Sequence, residues 1–428
     1  VTKYFSLIAC CLIILSGCSA DKTPPDNSHK LSSVNIIDRN GITETITNNE
    51  RLKKFEAVDF CSSQPYQKVL RVYGSDPQNN IKAVVTSYHP NGQLKQYLDV
   101  VNNRAFGFYR EYFADGQLQL EANVIGGVAD LSTAAENTWL YDGISKAWNE
   151  KGQLIAEILY CKGELEGMST YYHANGTVWK KIPFHKNLIS GIMEVYLENG
   201  QLLQTTEYTI GEKTGASIRY WPDQNISSNE MYKNGLLASG QYFDTSGQLV
   251  AEVEDGEGFR AVFGKDYVSE IQEIHEGVLE GEIRIFDKNG KLLRYYNVHN
   301  NLKHGELVEY WDKKTLSDKA VPKMAITYYE GKIQGHARTW YDNGVQESQR
   351  EMSSNARNGL STAWYRDGSL MLIEEYDHDK IKRGEYYKRG EKTPISEISQ
   401  GNGTATLFDS EGHYIRKITY QNGRPLQE

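Results

Sequence analysis

Gly167-Met168-Ser169-Thr170-Tyr171-Tyr172-His173-Ala174-Asn175-Gly176-Thr177-Val178 is answered 24 residues later by Gly191-Ile192-Met193-Glu194-Val195-Tyr196-Leu197-Glu198-Asn199-Gly200-Gln201-Leu202. Each stretch sets an aromatic five places after its first Gly, an Asn-Gly pair at eight and nine, and an apolar residue at eleven. Asn-Gly suits a type I′ turn, because both residues tolerate positive φ and the turn's twist matches two antiparallel strands. The aromatic before the turn and the aliphatic after it then place apolar groups on both arms. Each stretch reads as one β-hairpin. A single hairpin cannot bury a face, whereas neighbours joined edge to edge extend a sheet.

Outward from this pair the period persists. Glycines recur at Gly143, Gly167, Gly191, Gly215 and Gly240, and again at Gly281, Gly305, Gly335, Gly359 and Gly384. The aromatic at position five is Tyr112, Trp148, Tyr172, Tyr196, Tyr220, Phe263, Phe286, Tyr310, Trp340, Trp364 or Phe408, and a further aromatic recurs at seventeen (Tyr160, Phe184, Tyr208, Tyr232, Tyr376, Tyr420). The position-zero Gly permits a tight return or a close backbone approach between hairpins. This pattern predicts an all-β fold, an elongated antiparallel β-hairpin array forming a meander sheet, with a short irregular N-terminal segment. The organisation expected is residues 1–17 as a signal, 18–30 as a flexible tether, 31–80 as a non-repeat β segment, 81–423 as repeats and 424–428 as a tail.

Irregular places are also visible. The step from Gly107 to Gly143 is 36 residues, and its excess contains Thr133 and Glu136 in capping-box spacing, which predicts a short helix. The step from Gly305 to Gly335 is 30 residues, with a loop expected over 313–323 and ending near Pro322. An imperfect copy is expected around Gly240 to Gly258.

At the N-terminus, Lys3 precedes an apolar run over 4–15 that is too short to cross a bilayer as a helix. The run ends in Leu15-Ser16-Gly17-Cys18, which resembles the bacterial lipoprotein box. The resemblance implies cleavage before Cys18 and acylation of that residue; an ordinary secretory signal cut elsewhere is the alternative. Ser19 in place of Asp implies the outer membrane in a diderm, so the expected location is the cell envelope, held by a lipid anchor. Pro24-Pro25 and sparse apolar residues mark the tether. Cleavage leaves Cys61 and Cys161, readable either as one disulfide or as two thiols.

Composition narrows the function. The 428 residues carry 47 basic and 56 acidic side chains, a formal charge of −9, which argues against a protein built to grip nucleic acid. Tyr is 29 against 12 Phe and 7 Trp, favouring β-structure with half-wet aromatic faces. No P-loop, His-Glu-x-x-His, nucleophile elbow or paired-cysteine metal spacing is present, so no catalytic residue, metal or cofactor is expected. Asp377-His378-Asp379 reads as a solvated loop tip. His275, His299, His304 and His336 form no evident ladder, and Glu374 with Glu375 reads as surface charge.

Gly-x4-aromatic-x2-(Asn/Asp)-Gly-x-Leu at this spacing resembles the bacterial variant of the MORN repeat, found in proteins commonly labelled antitoxins of the YwqK type. The resemblance implies a protein partner, a toxin or an envelope protein, and supplies no catalytic residue. An exported antitoxin could only neutralise a toxin outside the cytoplasm. The eleven ladder aromatics are candidate binding residues as well as candidate struts between hairpins. A non-catalytic protein-binding scaffold is therefore expected. The alternative is a cell-wall or glycan-binding module, which the scarcity of Trp disfavours.

Overall fold

The computed structural model describes residues 30–312 and 320–426. The signal, Cys18, most of the tether, much of the 313–323 loop and the last two residues of the tail lie outside the described residues. The chain divides into two compact units, residues 1–164 and 165–428, and each is an antiparallel meander.

In the first unit, Leu31–Ile37 pairs with both Thr43–Ile46 and Lys68–Ser75. Beyond Lys68–Ser75 each strand pairs with the next in chain order: Ile81–Tyr88, Leu94–Val101, Arg104–Tyr112, Leu118–Val124, Gly143–Trp148 and Leu154–Cys161. Residues 31–80 also hold a helix, Asn49–Glu56, that the sequence reading did not foresee. The Asn48 side chain caps it, accepting from the backbone N–H groups of Glu50 (2.9 Å) and Arg51 (3.3 Å), and Lys53 and Lys54 complement its C-terminal dipole. Its apolar face is a single turn, Leu52 and Phe55, too short for helical periodicity to register. Leu52 is buried with Val34, Ile36, Ile46 and Phe60, a burial that contributes roughly 1.5–3 kcal/mol.

The second core of this unit gathers Val85, Leu98, Val100, Tyr109, Val124 and Trp139. The expected short helix is Thr133–Glu136, but its cap residue is Ser132, which makes no side-chain cap bond. Trp139 anchors the excursion instead, donating from Nε1 to the Val128 carbonyl at 2.8 Å and standing edge-on to Tyr109 at 4.6 Å. Cys61 and Cys161 are free and exposed.

In the second unit the hairpins repeat one register. Position zero faces position seventeen, as in Gly167 with Phe184, Gly191 with Tyr208, and Gly359 with Tyr376. Pro322 opens the strand Pro322–Tyr329, where a missing N–H is tolerated. Around Gly240 to Gly258 the short strands Leu249–Glu254 and Glu257–Phe263 replace the regular hairpin, and Tyr232, Leu237, Tyr242, Val253 and Ile274 close over them as a buried cluster.

Two sequence readings of the turns need correction. At the Asn-Gly tips only the Gly has positive φ, as at Gly176 (84°) and Gly200 (83°), so the turn is not type I′. Gly176 N–H closes a turn onto His173 O, and a register shift follows between Tyr171 and Tyr172, the geometry of a type I turn with a glycine bulge. The type I′ pairs lie at the opposite end of each hairpin, at positions nineteen and twenty: Lys186-Asn187 (49°, 67°), Asn300-Asn301 (51°, 61°) and Ser354-Asn355 (48°, 72°). The tight return is therefore not made by the position-zero Gly, which serves close approach. A carboxylate eight residues upstream occupies the space of the absent Cβ, as Glu273 does at Gly281 and Glu351 at Gly359. The same carboxylates accept from the following N–H groups, Glu282 N at 2.7 Å and Leu360 N at 3.0 Å.

Candidate binding surface

Alternation along each strand sorts the repeat positions onto two faces. Position two is buried in Ser169, Ser217, Ile283, Leu307 and Ser361 and half-buried in Ser145, Met193 and Ala337, small or aliphatic in nearly all of them. Position one lies on the opposite face and is exposed and apolar in several copies. In the first unit these are Phe108 and Ile144; in the second they are Met168, Ile192 and Leu360, with Ile192 at 55% exposure.

The ladder aromatics, at position five, share that face by the same alternation. Tyr112, Trp148, Tyr172, Tyr196, Tyr220, Phe263, Phe286, Tyr310, Trp340 and Trp364 are half-buried, and Phe408 is buried. Tyr196 shows how one is held. Its hydroxyl donates to Glu194 (2.7 Å) and accepts from Lys181 Nζ (3.3 Å), while the ammonium stands 5.2 Å from the ring centroid. Burial, then the hydrogen bond to Glu194, push its pKa up. Lys181 also pairs with Glu194 at 3.3 Å from the neighbouring hairpin, so these side chains stitch two repeats together.

A second ladder, at position six, went unnoticed in the sequence. His173 Nε2 meets the Tyr196 carbonyl at 3.0 Å, Trp311 Nε1 donates to Trp340 O at 2.8 Å, and Tyr341 and Tyr365 hydroxyls donate to Trp364 O (2.9 Å) and Tyr387 O (2.6 Å). Each bond runs from one repeat to the backbone of the next. Residue type varies while the donor persists, so only a search for "aromatic or His with a terminal donor" would have found it. The tip asparagines do the same: Asn175 Nδ2 donates to Glu198 O at 2.8 Å and Asn343 Nδ2 to Arg366 O at 2.9 Å. This inter-repeat bond, with their turn-closing Oδ1, explains Asn at position eight better than type I′ preference does.

His185, His275 and His299 occupy equivalent places at position eighteen or its counterpart, beside Glu166, Glu257 and Glu280 respectively, but Thr209 and Lys233 fill places between the first two, so no continuous histidine ladder forms. The other carboxylate oxygen accepts from the next backbone N–H, Lys186 at 2.9 Å and Asn300 at 3.0 Å. His275 is raised by its hydrogen bond to Glu257. Glu374 is not surface charge: it is buried, and takes the hydroxyls of Tyr376 (3.0 Å) and Tyr386 (2.7 Å). Asp377-His378-Asp379 is a hairpin tip, its central pair at positive φ (49°, 61°). Among the described residues, no group of three or more His, Cys, Asp and Glu is arranged to hold a metal ion.

Buried phenols give the array an alkaline limit. Burial pushes Tyr88 and Tyr365 up to about 12. A folded value above the unfolded one near 10 adds stability that is complete below pH ~10 and is lost as pH climbs to about 12, roughly 2–3 kcal/mol for a phenol as buried as Tyr88. Absorbance at 295 nm should show a late class of tyrosines whose ionisation coincides with loss of near-ultraviolet dichroism. Ionisation of all 29 tyrosines near pH 10 with the fold intact would refute this.

The MORN repeat variant family matches the chain at residues 83–102, 141–162, 165–186 and 189–209, and over these stretches the chain has the MORN-repeat fold. No curated protein matches it. Among solved structures it is similar to TcdB2-TccC3-TEV, at 12% identity over 90% of this chain and 24% of that one, TM-score 0.17. It is likewise similar to TcdB2-TccC3 without its hypervariable C-terminal region, at 12% identity over 83% and 24%, TM-score 0.16. The chain thus spans about a quarter of the length of either. Among the described residues no helix is long and apolar enough to cross a membrane, which does not bear on strands.

Proposed function

We propose that the protein is a non-catalytic scaffold that binds another protein at the cell envelope, an immunity-like or antitoxin-like role being its narrower form. In this reading residues 1–17 are removed as a signal, Cys18 carries lipid, 18–30 tether the array, and 81–423 present it. The observation that carries the reading is the exposed position-one row. The frame at positions two, five and six is fixed by packing and hydrogen bonds, whereas position one changes from the exposed Met168, Ile192 and His336 to the half-buried Glu282 and Glu306. Rigid spacing with variable decoration is what a recognition surface requires, and exposed apolar posts are its natural anchors.

The test is capture of partners from detergent-solubilised envelope by the full chain, with cross-linking and mass spectrometry, in parallel with Ile192→Glu, Met168→Glu and Cys18→Ala. The two surface variants should keep the melting temperature and lose the captured protein at least tenfold. Glu194→Lys is a poorer probe, because Glu194 also holds Lys181 and Tyr196. Cys18→Ala should leave the membrane fraction and lose fatty-acid labelling. Turnover of an envelope polymer by the purified protein, abolished by one carboxylate change, would overturn the scaffold reading.

A further inference from the structure

We infer that Arg71 anchors a carboxylate-binding site in the first unit, outside the repeats. Arg71 sits in the strand Lys68–Ser75, opposite Val34 on one side and Val84 on the other. It is 6% exposed and faces the core that Val69 shares with Val34, Ile36 and Phe60. Its Cζ lies 4.6 Å from the Phe60 ring centroid, a stacked cation–π contact. Yet Nε and Nη2 are both buried with no hydrogen-bond partner, and among the described residues no carboxylate pairs with the guanidinium.

The neighbouring acids are committed elsewhere. Asp59 accepts from the Cys61 N–H (2.9 Å) and the Ser62 hydroxyl (2.6 Å). Asp99, in register across Val84, accepts from the Tyr97 hydroxyl (2.7 Å) and the Phe108 N–H (3.0 Å). The Cys61 thiol, which feels the Arg71 charge, is pushed up by desolvation although the residue as a whole is exposed, and so offers no counter-charge. A buried cation without an anion is costly, and an apolar side chain would fill this slot against Phe60 without that cost.

The chemistry on offer is set by the two nitrogens that are buried as well as unpartnered, Nε and Nη2. Nε–H and Nη2–H are parallel donors along one edge of the guanidinium plane, the side-on fork that matches two oxygens of a planar carboxylate. Phe60 packs against the cation through its ring, and the Nε–Nη2 edge makes no hydrogen bond. Residues 57–67, which carry Phe60, belong to no helix or strand. They are held by Tyr88 Oη donating to Phe60 O and Gln64 N to Gly92 O, both 2.9 Å. Both nitrogens are closed to solvent, so a small acid reaches the fork only when this segment shifts. The site goes beyond the scaffold reading and does not depend on it.

The experiment uses the full chain and acetate, with sodium chloride at equal ionic strength as the charge-only control. Calorimetry and the Arg71 Nε–H resonance report binding, and an N-acetylated, amidated Gly-Glu-Gly peptide reports whether a side-chain carboxylate reaches the same place. Acetate should bind saturably and move the Nε–H resonance downfield. Arg71→Lys, which keeps the charge but has no fork, should weaken binding about tenfold or more; Arg71→Met should abolish it. Acetate binding without peptide binding assigns the site to small free acids, and equal binding assigns it to a partner's side chain. No saturable effect of acetate, an equal effect of chloride, or undiminished binding by Arg71→Lys would each overturn the inference. The lysine variant keeps the test decisive should the methionine variant fail to fold.

Discussion

Gly258→Ala and Gly403→Ala should each unfold their end of the second unit far more readily than Gly247→Ala does. All three glycines have positive φ, 130°, 141° and 83° respectively, so all three variants incur the conformational cost, about 1–2 kcal/mol. They differ in what a side chain would meet. A Cβ on Gly258 would lie 2.3 Å from the Glu252 carbonyl oxygen, and one on Gly403 2.3 Å from that of Glu397. A Cβ on Gly247 meets nothing within 4 Å. Backbone oxygens cannot swing away as a side chain can, so the strands must separate. Gly258 pairs with Val253 and Gly403 with Ile398, both buried, and separation opens the cores around them. The total cost should be on the order of 3–5 kcal/mol. Repeat arrays lose stability locally, so the readout is hydrogen exchange by segment. Protection should collapse over 249–275 for Gly258→Ala and over 394–421 for Gly403→Ala. Equal loss for all three variants would mean that φ alone governs these positions.

What the sequence disclosed and what it hid follow from one distinction. Features repeated by residue type were readable: position-zero Gly, the ladder from Tyr112 to Phe408, and the hairpin period. Features repeated by chemical function but not by residue type were not. The position-six donors are His173, Trp311, Tyr341 and Tyr365, and a residue-based alignment sees no conservation of type there. Turn chemistry failed for a related reason. Asn-Gly at the tips carried the known type I′ signal, while the true type I′ pairs, such as Lys186-Asn187 and Ser354-Asn355, look unremarkable as dipeptides. The helix Asn49–Glu56 was hidden by its length, and the buried roles of Glu230 and Glu374 by the general abundance of acids. Arg71 illustrates the limit of pattern reading: in the sequence it is one charge inside a strand, and only the packing around it reveals the missing counter-ion.

Glu230→Ala should be the most damaging change of a single polar side chain in the second unit. Glu230 is 3% exposed and collects three donors: the Tyr242 hydroxyl (2.9 Å), the Tyr232 hydroxyl (3.1 Å) and Arg260 Nε (2.9 Å). Burial first, then the Glu230 charge, push the Tyr242 phenol far above its ordinary value, so it remains a donor. Gly240 makes this possible, since the Tyr242 ring lies where a Cβ at that position would stand. The arrangement recurs 144 residues later, with Glu374, Tyr376, Gly384 and Tyr386 in the equivalent places. Lys213 and Arg357 correspond too, their cations 4.8 Å and 3.9 Å from the rings of Tyr232 and Tyr376. One element does not correspond: one extra residue in the intervening tip makes Gly403 the counterpart of Gly258, and the place of Arg260 is taken by Ala405. Removing Glu230 therefore strands a cation as well as two hydroxyls, a loss of about 3–5 kcal/mol, whereas removing Glu374 strands two hydroxyls, about 1–3 kcal/mol. Restoring balance should rescue the first case, so Glu230→Ala with Arg260→Ala, the residue the second cluster carries there, should recover much of the difference. The comparison is made by urea denaturation of these three variants, followed by tyrosine fluorescence and by exchange over 226–275 and 370–408. If Glu230→Ala and Glu374→Ala proved equally costly, or if Arg260→Ala gave no rescue, Arg260 would be shown to be solvated rather than held by Glu230, and the two clusters would be equivalent in energy as well as in geometry.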